Sequence, residues 1–192
     1  MKKNEKLAGT AAVKGTMVEA HLEWAASKLG DLGARLTPLL PPDCASYTSH
    51  RILATDWIPF KCLIEIDRGI ARAVGGGAEA IFRELGRHSA SKNLGGVYKS
   101  FVPDEPHKFF EQQAMLHHRF RNFGRSSYAR VSDRSGRITL DQYAEYSPVF
   151  CVSGEGFYAE ALKLMKVPGP VSAAETACQC AGDPACVYEL SW

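Results

Sequence analysis

Apolar residues recur at helical spacing in five long segments of the chain, and they alternate with polar residues in its C-terminal part. The first helical stripe contains Val18, Leu22 and Leu29, and Gly30 follows it as a stop signal. A helix of 3.6 residues per turn brings such positions to one face. The pattern predicts helices that start near Val18, Trp57, Ala78, Pro106 and Phe150 and end near Gly30, Gly75, Gly95, Gly124 and Met165.

The strand signals lie mostly after residue 124. Ser127, Ala129 and Val131 alternate with their neighbours, and the turn-forming residues 132–136 lead into a second alternating run over 138–140. Two further strands are predicted over 171–180 and 187–192, and a short one over 47–53. The chain therefore reads as α+β, with helices packed over an antiparallel twisted sheet.

Domain organisation follows from length and local composition. Residues 1–16 are polar, lysine-rich and interrupted by glycine, which predicts a flexible tail. The remaining residues, 17–192, suit a single domain, since the chain has 192 residues of which 45% are hydrophobic.

Charge excludes some classes of function. The formal net charge is +2, too balanced to indicate a nucleic-acid partner. No apolar run reaches the roughly 20 residues that span a bilayer, and no signal-peptide core follows Met1. We therefore expect a cytoplasmic protein with no membrane span. Six arginines form a basic run: Arg119, Arg121, Arg125, Arg130, Arg134 and Arg137. Such a run either binds phosphates or nucleic acid or forms a solvated face, and the solvated face is favoured here because acidic residues interrupt or flank the run.

The six cysteines are unevenly distributed. Cys44 and Cys62 are isolated, and four others crowd the last quarter of the chain. The four could be small buried hydrophobes, could include a disulfide between Cys180 and Cys186, or could bind metal. Three thiolates and a carboxylate would close a tetrahedral shell around a structural zinc ion and brace the C-terminal hairpin.

The residues around these cysteines carry a family resemblance. Cys151 precedes the segment 153–158, and a Glu-x-x-Cys motif follows over 175–178. Seven intervening residues then separate Cys178 from Cys186, which lies within 182–188. In this arrangement the chain resembles the 4-vinyl reductase domain. That family includes the sensor domains of aromatic-responsive bacterial activators and is related to TRAPP-like folds that bind ligands in NO signalling and Golgi transport. The similarity is clearest over residues 145–192.

The resemblance implies a metal site. Its ligands would be Cys151, Glu175, Cys178 and Cys186. Strand parity favours a different set, because Glu175 and Cys178 point to opposite faces of an ideal strand whereas Cys180 shares a face with Cys178. A bulge, or a strand that ends near Ala177, would remove this objection. Cys180 is therefore the reserve ligand.

The resemblance also implies a function. It indicates a hydrophobic cavity between the helices and the sheet for a small hydrophobic or aromatic ligand, a homodimer, and a signal passed to an unknown partner protein. Because a four-ligand zinc has no open position, we expect no catalytic residue and favour a sensor over an enzyme. The alternatives are a reductase or accessory factor in tetrapyrrole metabolism and a TRAPP-like interaction scaffold. Candidate pocket residues are Phe109, Phe110, His117, Tyr128, Phe150, Phe157 and Tyr158.

Overall fold

The N-terminal half of the chain is mainly helical. A computed structural model describes residues 9–97, 99–143 and 145–192. In chain order, this half contains β1 (Ala12–Lys14), α1 (Gly15–Leu29), α2 (Leu32–Arg35), α3 (Pro42–Ala45), β2 (Trp57–Pro59), α4 (Phe60–Val74) and α5 (Ala78–Lys92). β1 and β2 pair antiparallel with Val13 opposite Ile58, which joins the start of α1 to the start of α4.

The C-terminal half supplies the main sheet. Its elements are α6 (Pro106–Met115), α7 (His117–Phe120), β3 (Arg125–Ser132), β4 (Ser135–Asp141), α8 (Pro148–Leu164), β5 (Ser172–Ala177) and β6 (Cys186–Ser191). The four strands are antiparallel, in the spatial order β3-β4-β6-β5. The predicted α+β class with an antiparallel sheet and packed helices is confirmed.

One face of this sheet is buried. Ile138 and Leu140 on β4, and Tyr188 and Leu190 on β6, are at most 4% exposed, whereas the residues between them reach solvent. This alternation is what a strand with one face against a core requires. The buried face forms the floor beneath the helices.

Helices α5 and α8 approach each other through glycine. A Cβ atom on Gly86 would lie 1.9 Å from the carbonyl oxygen of Ser153, and one on Gly156 would lie 2.0 Å from that of Arg83. Only a residue without a side chain allows two backbones to come this close. The Arg83 Nε atom also donates to Glu155 Oε2 at 2.9 Å.

Cys44 and Cys62 form a disulfide between α3 and α4. Disulfides are typical of oxidising compartments, so this bond does not fit the reducing cytoplasm that the sequence led us to expect. Across the described residues, no helix has both the length and the apolar character needed to cross a bilayer.

Three local predictions need correction. The segment 47–53 is not a strand; it contains the 3-10 helix Ser46–Thr48, where the Thr48 hydroxyl donates to the Ala45 carbonyl. Trp57–Pro59 forms β2 rather than the first turn of a helix, because β1 pairs with it. Residues 1–8 lie outside the described residues. The rest of the predicted tail belongs to the packed structure, with Ala12 and Val13 fully buried.

The contact between α5 and α8 gives a stability prediction. Gly86→Ala forces a methyl group against the Ser153 carbonyl, and overpacking of this kind costs about 1–3 kcal/mol. Gly95→Ala is the matched control, since its nearest neighbour is a Leu164 methyl group at 3.9 Å. Urea unfolding of both variants measures the difference. Equal stabilities would contradict the close approach of the two helices.

Candidate functional site

A cavity of about 440 Å³ lies between the helices and the sheet. Helix α1 contributes Met17 and His21 to its wall, and β4 and β6 contribute Leu140 and Tyr188. Most of the remaining wall comes from α6, α7 and α8. Ligand sites are typically concave, mainly apolar and about 300–1,000 Å³ in volume, with a few polar groups that orient the ligand.

Five of the seven candidate pocket residues line this cavity: Phe109, His117, Phe150, Phe157 and Tyr158. The other two, Phe110 and Tyr128, are not among the lining residues. Their rings stack on each other, with centroids 5.7 Å apart, and the Tyr128 hydroxyl lies 2.6 Å from His107 Nδ1. They form part of the core beside α6 and do not contact the cavity.

His117 is a buried cavity residue whose two ring nitrogens are both engaged. Its Nε2 atom lies 3.1 Å from the Phe123 carbonyl oxygen, and its Nδ1 atom lies 3.2 Å from Arg121 Nη1. Because the guanidinium can only donate, Nδ1 accepts and Nε2 carries the proton. Burial, assisted by the charge of Arg121, lowers the pKa of His117 to about 4. The imidazole is therefore neutral near pH 7.

His21 is oriented by a carboxylate. Its Nδ1 atom lies 2.7 Å from Asp67 Oδ1, and both side chains are almost fully buried. In the neutral ring that donates its Nδ1–H to this carboxylate, the lone pair lies on Nε2, for which the described residues show no hydrogen-bond partner. A carboxylate in this position is the arrangement that orients ligating histidines in metal and heme sites. In that tautomer, His21 can offer a nitrogen lone pair to the cavity that it lines.

Arg121 supplies a positive charge at the cavity wall. It follows α7 in extended conformation, where its backbone bridges to Val13 of β1. The neighbouring Asn122 ties the same segment down, since its Oδ1 accepts from the Ala12 backbone N–H at 2.7 Å. The sequence places a guanidinium next to the cavity because two hydrogen-bonded segments fix its backbone there.

The four proposed metal ligands come together at the end of the sheet. One ligand atom each from Cys151, Glu175, Cys178 and Cys186 lie within 4.8 Å of one another. The bulge that would reconcile Glu175 with Cys178 is present: the β5–β6 register shifts between Glu175 and Ala177, and β5 ends at Ala177. The reserve ligand, Cys180, is exposed and lies outside the cluster.

Hydrogen bonds connect the thiols of this cluster. Cys151 Sγ lies 3.6 Å from Cys186 Sγ, Cys178 Sγ donates to Cys151 Sγ at 3.8 Å, and the Gln179 N–H donates to Cys186 Sγ at 3.4 Å. The bond to Cys151 lowers the pKa of Cys186 and raises that of Cys151. Burial raises the pKa of Cys178 to about 12. Within this pair of thiols, the hydrogen bond therefore favours the proton on Cys151 over the proton on Cys186.

Comparison with known proteins gives a fold but no family. No family model matches the chain, and no curated protein matches it. Solved structures match along nearly the whole chain. An H-NOX protein from S. oneidensis in its Fe(II)NO ligation state has a TM-score of 0.65 at 10% identity, over 93% of this chain and 98% of that one. The chain has the H-NOX fold.

Two further H-NOX-fold structures agree. An oxygen-binding H-NOX domain related to soluble guanylate cyclases has a TM-score of 0.66 at 14% identity, over 92% of each chain. A protein studied for its heme redox potential and porphyrin distortion has a TM-score of 0.67 at 14% identity, over 93% of this chain and 99% of that one. Identities this low establish the fold alone.

These findings correct the expected family. The 4-vinyl reductase assignment is wrong, because the matching solved structures are H-NOX proteins and no family model supports the assignment. The motifs that suggested it lie in the last quarter of the chain, whereas the H-NOX fold includes the N-terminal helices as well.

The predicted structural zinc is wrong as well. The similar structures are described by their heme and its ligands, and none supports a zinc-braced hairpin. Backbone pairing joins β5 to β6 in the hairpin that the zinc ion was expected to brace. The set of four converging residues stays a prediction of a binding site, with no occupant assigned.

Among the cavity residues that sequence reasoning did not single out are His21 and Arg121. His21 falls on the same helical stripe as Val18, Leu22 and Ala25, a pattern that already placed a polar ring on the buried face of α1. No apolar periodicity pointed to Arg121 as a buried residue, because it belongs to the basic run that was expected to face solvent. Its neighbours in that run do form exposed ion pairs, such as Arg125 with Asp141 and Arg137 with Glu189.

The neutral state of His117 predicts an acid-sensitive stability. The pKa of His117 is about 4 in the folded chain, against an ordinary histidine pKa of 6.5. Between these two pH values the folded chain leaves the ring unprotonated, whereas the unfolded chain protonates it. The unfolded state therefore binds more protons, and stability falls as the pH drops from 6.5 towards 4, by up to about 1.4 kcal/mol per pH unit for one group. Urea unfolding at several pH values measures this slope.

His117→Gln is expected to flatten the pH dependence, because glutamine does not titrate. The exposed neighbour provides a control, and His118→Gln is expected to keep the wild-type slope. If His117→Gln and wild type lose stability equally on acidification, His117 is not the buried neutral group described here.

Proposed function

We propose that this chain is a sensory domain that binds a small, mainly apolar molecule in the cavity between its helices and its sheet. The observation that carries this proposal is the cavity itself, which has a volume of about 440 Å³ and lies between the helices and the sheet. Its volume lies within the range of about 300–1,000 Å³ that is typical of small-molecule sites.

The wall chemistry supports a ligand site. Aromatic rings supply contact area for an apolar body; those on the wall include Phe109, Phe150, Phe157, Tyr158 and Tyr188. Among them stand a few polar groups that could orient a ligand, chiefly His21, Asn93 and Arg121. A core of the same size without function would place few charged groups on such a wall, since a buried charge is costly.

The position of the cavity also suggests how ligand binding could be transmitted to a partner protein. Its wall includes residues of α1, α6, α8 and the sheet, so a ligand would contact both layers and could shift one against the other. The output would pass to a partner protein, which stays a prediction, as does the homodimer. The scaffold alternative is less favoured, because the large exposed hydrophobic residues within the described chain lie on four separate segments: Leu39, Leu53, Met115–Leu116 and Val131.

Heme is a second candidate ligand, favoured by one specific observation. His21 Nε2 is a nitrogen with an available lone pair, and Asp67 orients the ring. These polar residues of the cavity wall therefore fit a heme. The imidazole of His21 would hold the iron, and the guanidinium of Arg121 would pair with a heme propionate. A bound heme would supply an iron able to take a diatomic gas, as in the oxygen complex of the similar H-NOX domain. His117 is unsuited to this role because both its nitrogens are engaged.

A neutral fluorescent probe tests the proposed function. We expect N-phenyl-1-naphthylamine to bind wild-type protein at one site per chain, with the increase in emission that accompanies transfer from water to an apolar cavity. Ser126→Trp should abolish binding, because Ser126 lines the cavity and the indole would fill it. Ser127→Trp is the matched control, since the next residue of β3 points to the opposite, exposed face.

Binding by wild type and Ser127→Trp but not by Ser126→Trp supports the cavity as the ligand site. Absence of binding to folded wild-type protein, or equal binding by both tryptophan variants, contradicts it. An absorption spectrum of the purified chain, before and after addition of hemin, separates the second candidate: a Soret band that is lost in His21→Ala indicates heme held by His21.

A further inference from the structure

Arg121 is a cation in the interior that lacks a counter-ion. Its Nη1 atom lies 3.2 Å from His117 Nδ1 and 3.4 Å from the Tyr143 hydroxyl, and its guanidinium carbon lies 4.8 Å from the centre of the Phe150 ring. Its Nε atom is buried and has no hydrogen-bond partner in the described part of the chain. No salt bridge joins Arg121 to any carboxylate of that part, whereas Arg125 and Arg137 each have one.

None of the groups around Arg121 carries the missing negative charge. Burial raises the pKa of Tyr143, and it does the same for Tyr158 and Tyr188, the other two phenols near the guanidinium. All three phenols are therefore neutral at physiological pH. His117 is neutral as well, for the reason given above. The neighbours of Arg121 are dipoles and an aromatic ring, which weaken the penalty of a buried charge without cancelling it.

We infer that the cavity binds an aromatic monocarboxylic acid whose carboxylate pairs with the Arg121 guanidinium. A planar guanidinium can pair with a carboxylate through parallel hydrogen bonds, and Arg121 lines the cavity wall. One guanidinium balances one charge, which favours a carboxylate over a doubly charged phosphate. The aromatic wall, with Phe109, Phe150 and Phe157, favours an aromatic body.

This inference rests on the proposed function and adds the class of ligand. It also assigns different roles to two cationic residues of the wall. Arg119 is exposed and lines the cavity from its rim, where water and salt screen its charge. Arg121 is partly enclosed, and its interaction with an anion is correspondingly stronger. Specificity for an acid therefore depends on Arg121 and not on Arg119.

The test compares two ligands of nearly equal shape. Isothermal titration calorimetry of wild-type protein with 1-naphthaleneacetic acid and with its neutral amide, 1-naphthaleneacetamide, measures the preference for a carboxylate. A charged hydrogen bond contributes about 1.5–3 kcal/mol, so we expect the acid to bind about 10- to 100-fold more tightly than the amide. Arg121→Gln should remove this preference while keeping amide binding within a few-fold of wild type. Arg119→Gln should retain the preference.

A second variant covers the case in which Arg121→Gln does not fold. Arg121→Lys keeps the positive charge but loses the paired donors, so we expect it to retain part of the acid preference. Equal affinity of wild type for acid and amide overturns the inference and leaves the proposed function intact. Binding of neither compound while N-phenyl-1-naphthylamine binds also overturns it. Failure of all three compounds overturns the proposed function too. A preference that survives in Arg121→Gln and disappears in Arg119→Gln overturns the assignment to Arg121.

Discussion

A positive charge held beside an apolar cavity is the constraint on which the rest of the site depends. Desolvation of an unpaired ion costs several kcal/mol, and the chain offsets part of this with a phenol, an imidazole and an aromatic ring around Arg121. The same charge contributes to keeping His117 neutral. An apolar core alone would be simpler and more stable, which is why we connect the charge with ligand binding.

The scaffold explains why the cavity can persist. Helices α5 and α8 contact each other through Gly86 and Gly156, and α8 in turn covers the buried face of the sheet, where the Tyr188 hydroxyl donates to the Cys151 carbonyl at 3.1 Å. The β1–β2 pair fixes the start of α1, and the segment after α7 is bonded to β1. These contacts form a rigid frame around the space, so side chains cannot easily collapse into it.

The sequence was sufficient for the fold class and for much of the cavity wall. Periodicity predicted the helices, because apolar residues at helical spacing form one buried face of a helix. Alternation on either side of a turn predicted the β3–β4 hairpin. It misplaced Trp57–Pro59, whose strand pairing with β1 is a contact over more than 40 residues that local pattern does not encode. Arg121 was missed for a similar reason: only the bridge to Val13 turns this one member of a basic run towards the interior.

The family resemblance misled because it depended on a short C-terminal segment. The cysteines and Glu175 do converge, yet convergence of ligand-type side chains does not identify an ion, and the whole-chain comparison points to the H-NOX fold.

The central claim of this account is that the cavity holds an acid against Arg121. A crystal structure of the chain with 1-naphthaleneacetic acid tests it most directly. We predict the naphthalene rings between α6 and α8 and the carboxylate within hydrogen-bond distance of the Arg121 guanidinium; a cavity without ligand, or an acid bound only on the outer surface, would contradict the account.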